Sequence, residues 1–403
     1  MVRMARSNTR QMRVLDGSDE VPRIYTYQHR WIDRVLSTLH MLDSKGVAKV
    51  TTLVLPFALI WFAIFLVGLL EGVSLPKYGL KVPVLYDVAL YCLSFGVGPL
   101  YLYCTTRFDF ELSQFIRWLV REQRVLLGQA DLARELAGLQ QLSRSIWTSR
   151  ISLVLAAVVV LGWILPEATN QQWTWPTRMG SGEWETPTVA GLILCLYLMV
   201  INYILFCHLA TVVGWYWFLS RIASYPLRVD PIHPDLCGGF GPINLVQKVN
   251  GYLACGIGIY IASVVFNNCF YLGPPIARID NVILVIHMVI TPLAYLFPLL
   301  FFIRPLLRSK QDALTWVDSL ANETGDQVKS VLAQPNRDLL TAAPYLEFGL
   351  FLASYRDHIT SMRVILLDAK GLKKFLALAY SPLLAFVIPF LPETLQKVAS
   401  LIR

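Results

Sequence analysis

Val50-Thr-Thr-Leu-Val-Leu-Pro-Phe-Ala-Leu-Ile-Trp-Phe-Ala-Ile-Phe-Leu-Val-Gly-Leu-Leu70 contains no Asp, Glu, Lys or Arg. At 1.5 Å of rise per residue, a helix of about 20 such residues crosses a hydrocarbon core of about 30 Å. This stretch is therefore read as a membrane span. The whole chain agrees: 55% of its residues are hydrophobic and only 15% are charged, against roughly 25% charged in soluble domains. Its mean hydropathy is +0.52.

Working outward from residues 50–70, further apolar runs occupy about 83–105, 151–166, 188–220, 249–272 and 281–303. The expected fold is an all-α polytopic transmembrane helical bundle of six spans. Residues 375–391 are apolar but short and carry Pro382 and Pro389. They fit a seventh span, a re-entrant segment or a buried helix, and we favour a membrane-embedded or interfacial packing segment.

Polar and charged segments separate these runs. Residues 1–49 form a basic leader, in which Ile24, Trp31, Ile32, Val35, Leu36 and Leu39 fall near helical spacing, as in an interfacial helix or equally a soluble helix packed on a neighbour. The leader has no apolar core of the kind found in a cleavable signal. Residues 106–150 read as a helical hairpin, with Leu132, Leu136, Leu139, Leu142 and Ile146 on one stripe. Residues 305–372 read as a second helical region, with Phe348, Phe351, Leu352, Tyr355, Ile359 and Met362 as its buried stripe. Residues 373–403 form the apolar C-terminal segment.

Lys and Arg number nine in residues 1–49 and seven in 106–150, but only two in 71–82, one in 166–187 and one in 273–280. Positive residues are retained on cytoplasmic loops. The alternation places the N-terminus, both helical regions and the loop 223–247 in the cytoplasm, in the inner (plasma) membrane of a cell. The net charge of +8 is thus explained by orientation and by contact with lipid headgroups, and a nucleic-acid partner is not expected. The seven cysteines show no zinc-finger spacing and most lie in apolar runs, where they behave as small hydrophobes.

The spans lack central acids and bases, which argues against coupled transport. Asn202, His208, Asn267, Asn268 and His287 are the polar residues left as pore-lining candidates, with interhelical hydrogen bonding the plainer role for each. The densest chemistry lies in residues 225–241, which combine Arg228, Asp230, His233, Asp235 and Cys237 with three prolines and three glycines. Asp230, His233, Asp235 and Cys237 offer oxygen, nitrogen and sulfur to a divalent metal, although the D-x2-H-x-D-x-C spacing is compressed. Arg228 with Gly238, Gly239 and Gly241 suits gating or anion recognition through converging backbone N–H groups. The plain alternative is structural, with Asp235 accepting backbone N–H bonds and His233 tying the turn.

The run His233-Pro234-Asp235-x-x-Gly238-Gly239-Phe240-Gly241 between two spans resembles a pattern in bacterial inner-membrane proteins of unassigned function, over roughly residues 190–370. The resemblance implies no activity. No GxSxG, HExxH or phosphate-binding glycine loop is found, so no catalytic residue is assigned. The leading expectation is a homo-oligomeric ion channel or pore-like protein gated from the cytoplasmic side by the 225–241 loop. A non-conducting scaffold or sensor that binds a cytoplasmic protein is the alternative, and a metal-dependent membrane enzyme centred on His233 and Asp235 is the third.

Overall fold

The computed structural model describes residues 36–43, 47–76, 82–122, 129–143, 145–169, 176–178, 186–267, 270–271, 278–333, 339–366 and 369–387. The chain is all-helical: α1 (Val50–Leu70), α2 (Val88–Cys92), α3 (Gly98–Arg121), α4 (Gln129–Ser143), α5 (Ile146–Thr169), α6 (Val189–Ser224), α7 (Ile243–Asn267), α8 (Arg278–Leu300), α9 (Ile303–Leu332), α10 (Leu339–Ser361) and α11 (Ala369–Val387). A two-residue antiparallel ladder, Thr177–Arg178 with Thr186–Pro187, precedes α6.

Among the described residues, five stretches are long and apolar enough to cross a membrane: Thr51–Leu70, Val88–Arg121, Val189–Ser224, Ile243–Asn267 and Ile283–Leu300. The third expected span, 151–166, is part of α5, but its described apolar stretch, Thr148–Gly162, is shorter than the other five. The second span overruns its expected end at 105. A π-helical turn at Leu93–Val97 joins α2 to α3, and the helix continues to Arg121.

The longest helix, α6, has 36 residues, about 54 Å at the usual rise. Its start is capped from two directions. Thr188 Oγ1 accepts from Gly191 N at 2.9 Å, and the Glu71 carboxylate at the end of α1 accepts from Val189 N and Ala190 N at 2.8 and 2.9 Å. Three otherwise orphaned N–H groups are satisfied, and the carboxylate sits at the positive end of the helix dipole. At the other end of α6, Gly138 brings α4 against Trp217, 2.8 Å from where a Cβ would lie.

The centre of the core is aromatic. Trp215 of α6 meets Phe115 of α3 edge-to-face at 5.3 Å and stacks on Phe218 at 5.9 Å. Trp118 meets Phe240 at 5.8 Å, and Phe240 meets Phe302 at 5.6 Å. These contacts gather the end of α3, the loop after α6 and the start of α9 at one end of the bundle, here called the basic end because Arg121, Arg221 and Arg304 also lie there.

Helix α7 is the hub, and its glycines explain why. Gly251 and Gly258 are seven residues apart and share a face. A Cβ on Gly251 would lie 3.1 Å from Phe375, and one on Gly258 would lie 2.9 Å from the Ala379 carbonyl. Small residues therefore let α11 approach α7 closely. Gly256 points elsewhere and admits Tyr101 of α3. The apolar segment at 375–391 is thus a helix, starting at Ala369, that packs along α7 as far as the described chain extends.

One expectation falls largely outside the described residues, and another needs revision. The interfacial helix at 24–43 lies mostly outside the described residues. Its described end and the residues after it are packed on protein, with Leu36, Met41, Val47 and Ala48 buried and a bridge between Leu42 and Ala48. In 305–372, α9 and α10 pair through Val317, Leu352 and Ile359, and Met362 joins the main core. Phe348 and Phe351 of the expected buried stripe instead stand 43% and 59% exposed. Leu352, Tyr355 and Ile359 take the face toward α9, which turns Phe351 about 100° away. In α4 the described members of the stripe behave as expected, with Leu139 fully buried and Leu132 and Leu136 packed against the core.

Candidate functional site

Residues 225–242 fold as a knuckle under the basic end. Asp235 is its organiser. Asp235 Oδ1 accepts from Cys237 N at 2.8 Å and Gly239 N at 3.0 Å, while Oδ2 accepts from Gly241 N at 2.8 Å. The backbone must coil to aim three N–H groups at one carboxylate. It does so through left-handed conformations at Leu236, Gly238 and Gly239, with φ of 55°, 64° and 88°. Glycine adopts these without cost, whereas Leu236 takes on steric strain of about 1–2 kcal/mol.

His233 Nδ1 lies 2.9 Å from Asp235 Oδ1 and 3.3 Å from Asp235 N. One nitrogen cannot serve both contacts. The shorter one, to the stronger acceptor, assigns it as an N–H donor to the carboxylate. Burial pushes the Asp235 carboxyl up, but the amides of Cys237, Gly241 and Gly239, together with His233, outweigh it and hold the group below the usual carboxylate range. Asp230 makes the smaller turn beside it, accepting from Ile232 N at 3.2 Å, with its own N–H donating to the Gly238 carbonyl at 3.1 Å.

The anion-recognition reading of the glycines is corrected by this geometry. The converging N–H groups of Gly239 and Gly241 already hold Asp235, so the nest is filled by the chain itself. Nor do the proposed metal ligands assemble: among the described residues no group of three or more His, Cys, Asp and Glu side chains is placed to hold a metal ion. Cys237 is buried in the core, and the Asp235 carboxylate is taken up by three backbone N–H groups and His233. Arg228 is exposed on the loop's surface.

The knuckle is bound to its surroundings. Phe240 is fully buried. A Cβ on Gly238 would lie 2.4 Å from Val229 and 3.1 Å from both Leu306 and Met362. The segment after α10 is strapped across it: Arg363 N donates to the Leu236 carbonyl at 2.7 Å, and Asn244 Nδ2 to the Leu366 carbonyl at 2.5 Å. Lys310 Nζ of α9 donates to the Thr360 and Met362 carbonyls at 2.6 and 2.8 Å.

Each described pore-lining candidate has a hydrogen bond or ring contact within the protein. Asn202 donates to the Leu198 carbonyl in its own helix at 2.8 Å. His208 is buried edge-on to Phe108, 5.3 Å between ring centroids. Asn267 donates to Asp87 at 2.7 Å and accepts from Val88 N at 3.2 Å, closing the start of α2 against the end of α7. His287 pairs with Thr291 at 3.1 Å and lies edge-to-face with Tyr380 of α11 at 6.5 Å. Asn268 lies outside the described residues.

Three arrangements carried no local signal in the sequence. Buried Glu135 of α4 is held by Arg221 at 3.1 Å and by Tyr225 Oη at 2.8 Å. Burial works to raise its carboxyl, but Arg221 and Tyr225 outweigh it and keep Glu135 below the usual range. In α8, Pro292 and Pro298 have no N–H to donate four residues back, freeing the Met288 and Ala294 carbonyls. Tyr380 Oη of α11 donates to the first at 2.5 Å and Tyr216 Oη of α6 to the second at 2.6 Å. Buried Gln247 adds a bond to the Tyr295 carbonyl at 2.7 Å and accepts from Asn250. The third is a cavity of about 390 Å³ between the knuckle, α7, the strap and α11. No family profile, curated protein or solved structure matches the chain.

Proposed function

We propose that this chain is a non-conducting membrane scaffold or sensor subunit whose α9–α10 hairpin holds a soluble protein partner in the cytoplasm. One observation carries the reading. On a hairpin bearing charges along its length, Phe348 stacks on Phe351 at 6.2 Å, Phe351 on Tyr355 at 5.9 Å, and Trp316 meets Tyr355 at 6.2 Å. Trp316 is 55% exposed. An exposed aromatic ladder on a polar element is a binding surface in the making. The charge alternation orients this end to the cytoplasm, with the N-terminus on the same side of the cell's inner membrane.

The strap gives the sensor its transmission. Hydrogen bonds from Lys310, Arg363 and Asn244 join the base of the hairpin to the knuckle and to α7, so a change in the bundle reaches the ladder through polar contacts rather than through a flexible linker. The test is a photo-crosslinking amino acid at Phe351 in cells, where adducts to a second protein are expected. Adducts to lipid alone, or none, would overturn it.

A second reading, an oligomeric channel, is supported by α8. Its two prolines and its exposed flank, which includes Val285, Val289 and Leu293, suit a pore wall between subunits that closes by dewetting. Ion flux from liposomes holding the purified protein separates the two: the scaffold reading expects no potassium, sodium or chloride flux above empty liposomes. The resemblance to bacterial inner-membrane proteins and assembly into a homo-oligomer stay part of the proposal.

A further inference from the structure

The 390 Å³ cavity beside the knuckle has walls of two kinds. Lys248 of α7, Arg363 of the strap and Lys374 of α11 line it, and Asp235 is the one acid among the described lining residues. The Asp235 carboxylate is already occupied by three backbone N–H groups and His233. Three cations from three separate elements thus border one cavity. Its deeper wall is apolar and aromatic: Tyr295 and Phe375 stack at 3.8 Å, and Leu378 lies beside them. Lys248 and Lys374 are exposed at the rim and Arg363 is half-buried.

We infer that this cavity binds a phosphate-bearing anionic amphiphile, with the phosphate against Lys248, Arg363 and Lys374 and the apolar portion along Phe375 and Leu378. Cationic side chains over an aromatic floor at the end of a membrane helix match a lipid whose headgroup carries net negative charge. A zwitterionic headgroup brings its own cation and loses this advantage. The inference goes beyond the hairpin reading and stands without it, because the cavity lies on the α7 and α11 side of the strap. Occupancy would fix Arg363, two residues beyond α10, and so bias the base of the hairpin.

The test uses native mass spectrometry on the full-length protein in detergent, titrated with phosphatidate or with phosphatidylcholine of the same acyl chains. Phosphatidate is expected to bind at least ten-fold more tightly. A Lys248→Gln, Arg363→Gln, Lys374→Gln variant is expected to lose at least ten-fold in phosphatidate affinity. Its melting temperature should be unchanged, since the Arg363 contact to Leu236 is made by backbone. The single Lys374→Gln variant, altered at an exposed position, should lose a smaller part of the affinity. Competition by millimolar inorganic phosphate would support a soluble phosphate as the source, and its failure to compete would support a lipid. Equal binding of the two lipids, or unchanged phosphatidate binding by the triple variant, would overturn the proposal.

Discussion

The knuckle at 225–242 and the helix α8 handle the same problem, backbone polar groups without secondary-structure partners, in opposite ways. The knuckle satisfies them internally: Asp235 supplies the acceptor for three N–H groups within six residues of itself. Helix α8 satisfies its freed carbonyls externally, with Tyr216 and Tyr380 reaching in from α6 and α11. Density of polar residues in a sequence therefore marks where structure is locally self-sufficient. In α8 the places that couple it to its neighbours are sparse, and they include two prolines and two tyrosines in apolar surroundings.

The sharpest break of this contrast is in the knuckle. Phe240→Ala removes a fully buried ring between Trp118 and Phe302 and should cost about 3–5 kcal/mol, read as a lowered melting temperature in detergent. Gly238→Ala meets both a left-handed φ and Val229, and about 2–4 kcal/mol is expected. A stability loss below 1 kcal/mol in both variants, on the scale of exposed sites, would show that the knuckle is not a fastener.

A smaller effect carries a pH signature. Asp235→Asn trades an acceptor for a donor facing backbone N–H and should cost about 1–3 kcal/mol near neutral pH. Because the folded carboxyl sits below its ordinary range, its stabilisation is complete above the unfolded pKa of about 3.9 and is lost as pH falls through the depressed folded value. The gap between wild type and Asp235→Asn should therefore close on acidification. Any acid sensitivity shared by both proteins belongs to other carboxylates such as Glu135. A gap that widens toward acid would contradict the assignment.

The mildest test bears on α8. Tyr380→Phe should cost about 0.5–1.5 kcal/mol by orphaning the Met288 carbonyl. In a Pro292→Ala background the new N–H can serve that carbonyl, so the same substitution should cost little. Equal costs in both backgrounds would mean that the tyrosine acts by packing alone. The corresponding pair is Tyr216→Phe with Pro298→Ala.

Legibility in the sequence followed the range of the interaction. Five spans were readable because each is a contiguous apolar run, and the loop because its prolines and glycines are adjacent. The structural reading of Asp235 was available as one alternative, yet its partners depended on φ at Leu236, Gly238 and Gly239, and residue types alone do not dictate those angles. The exposed faces of Phe348 and Phe351 were misjudged because two helical stripes on α10 are apolar, and only the position of α9 selects between them. Tyr380 lies 92 residues from Met288 and Tyr216 78 from Ala294, beyond any local pattern.

By itself the sequence determined that this chain is a helical membrane bundle, because burying backbone in hydrocarbon leaves an apolar run no other stable form. It also determined where the bundle's charged elements lie along the chain. Tertiary structure alone decided that Asp235 is spent on its own loop, that α11 packs on α7 through Gly251 and Gly258, and that Lys248, Arg363 and Lys374 border one cavity. Those outcomes depend on which helix faces meet, and contacts between distant segments are set by packing geometry rather than by the composition of either segment.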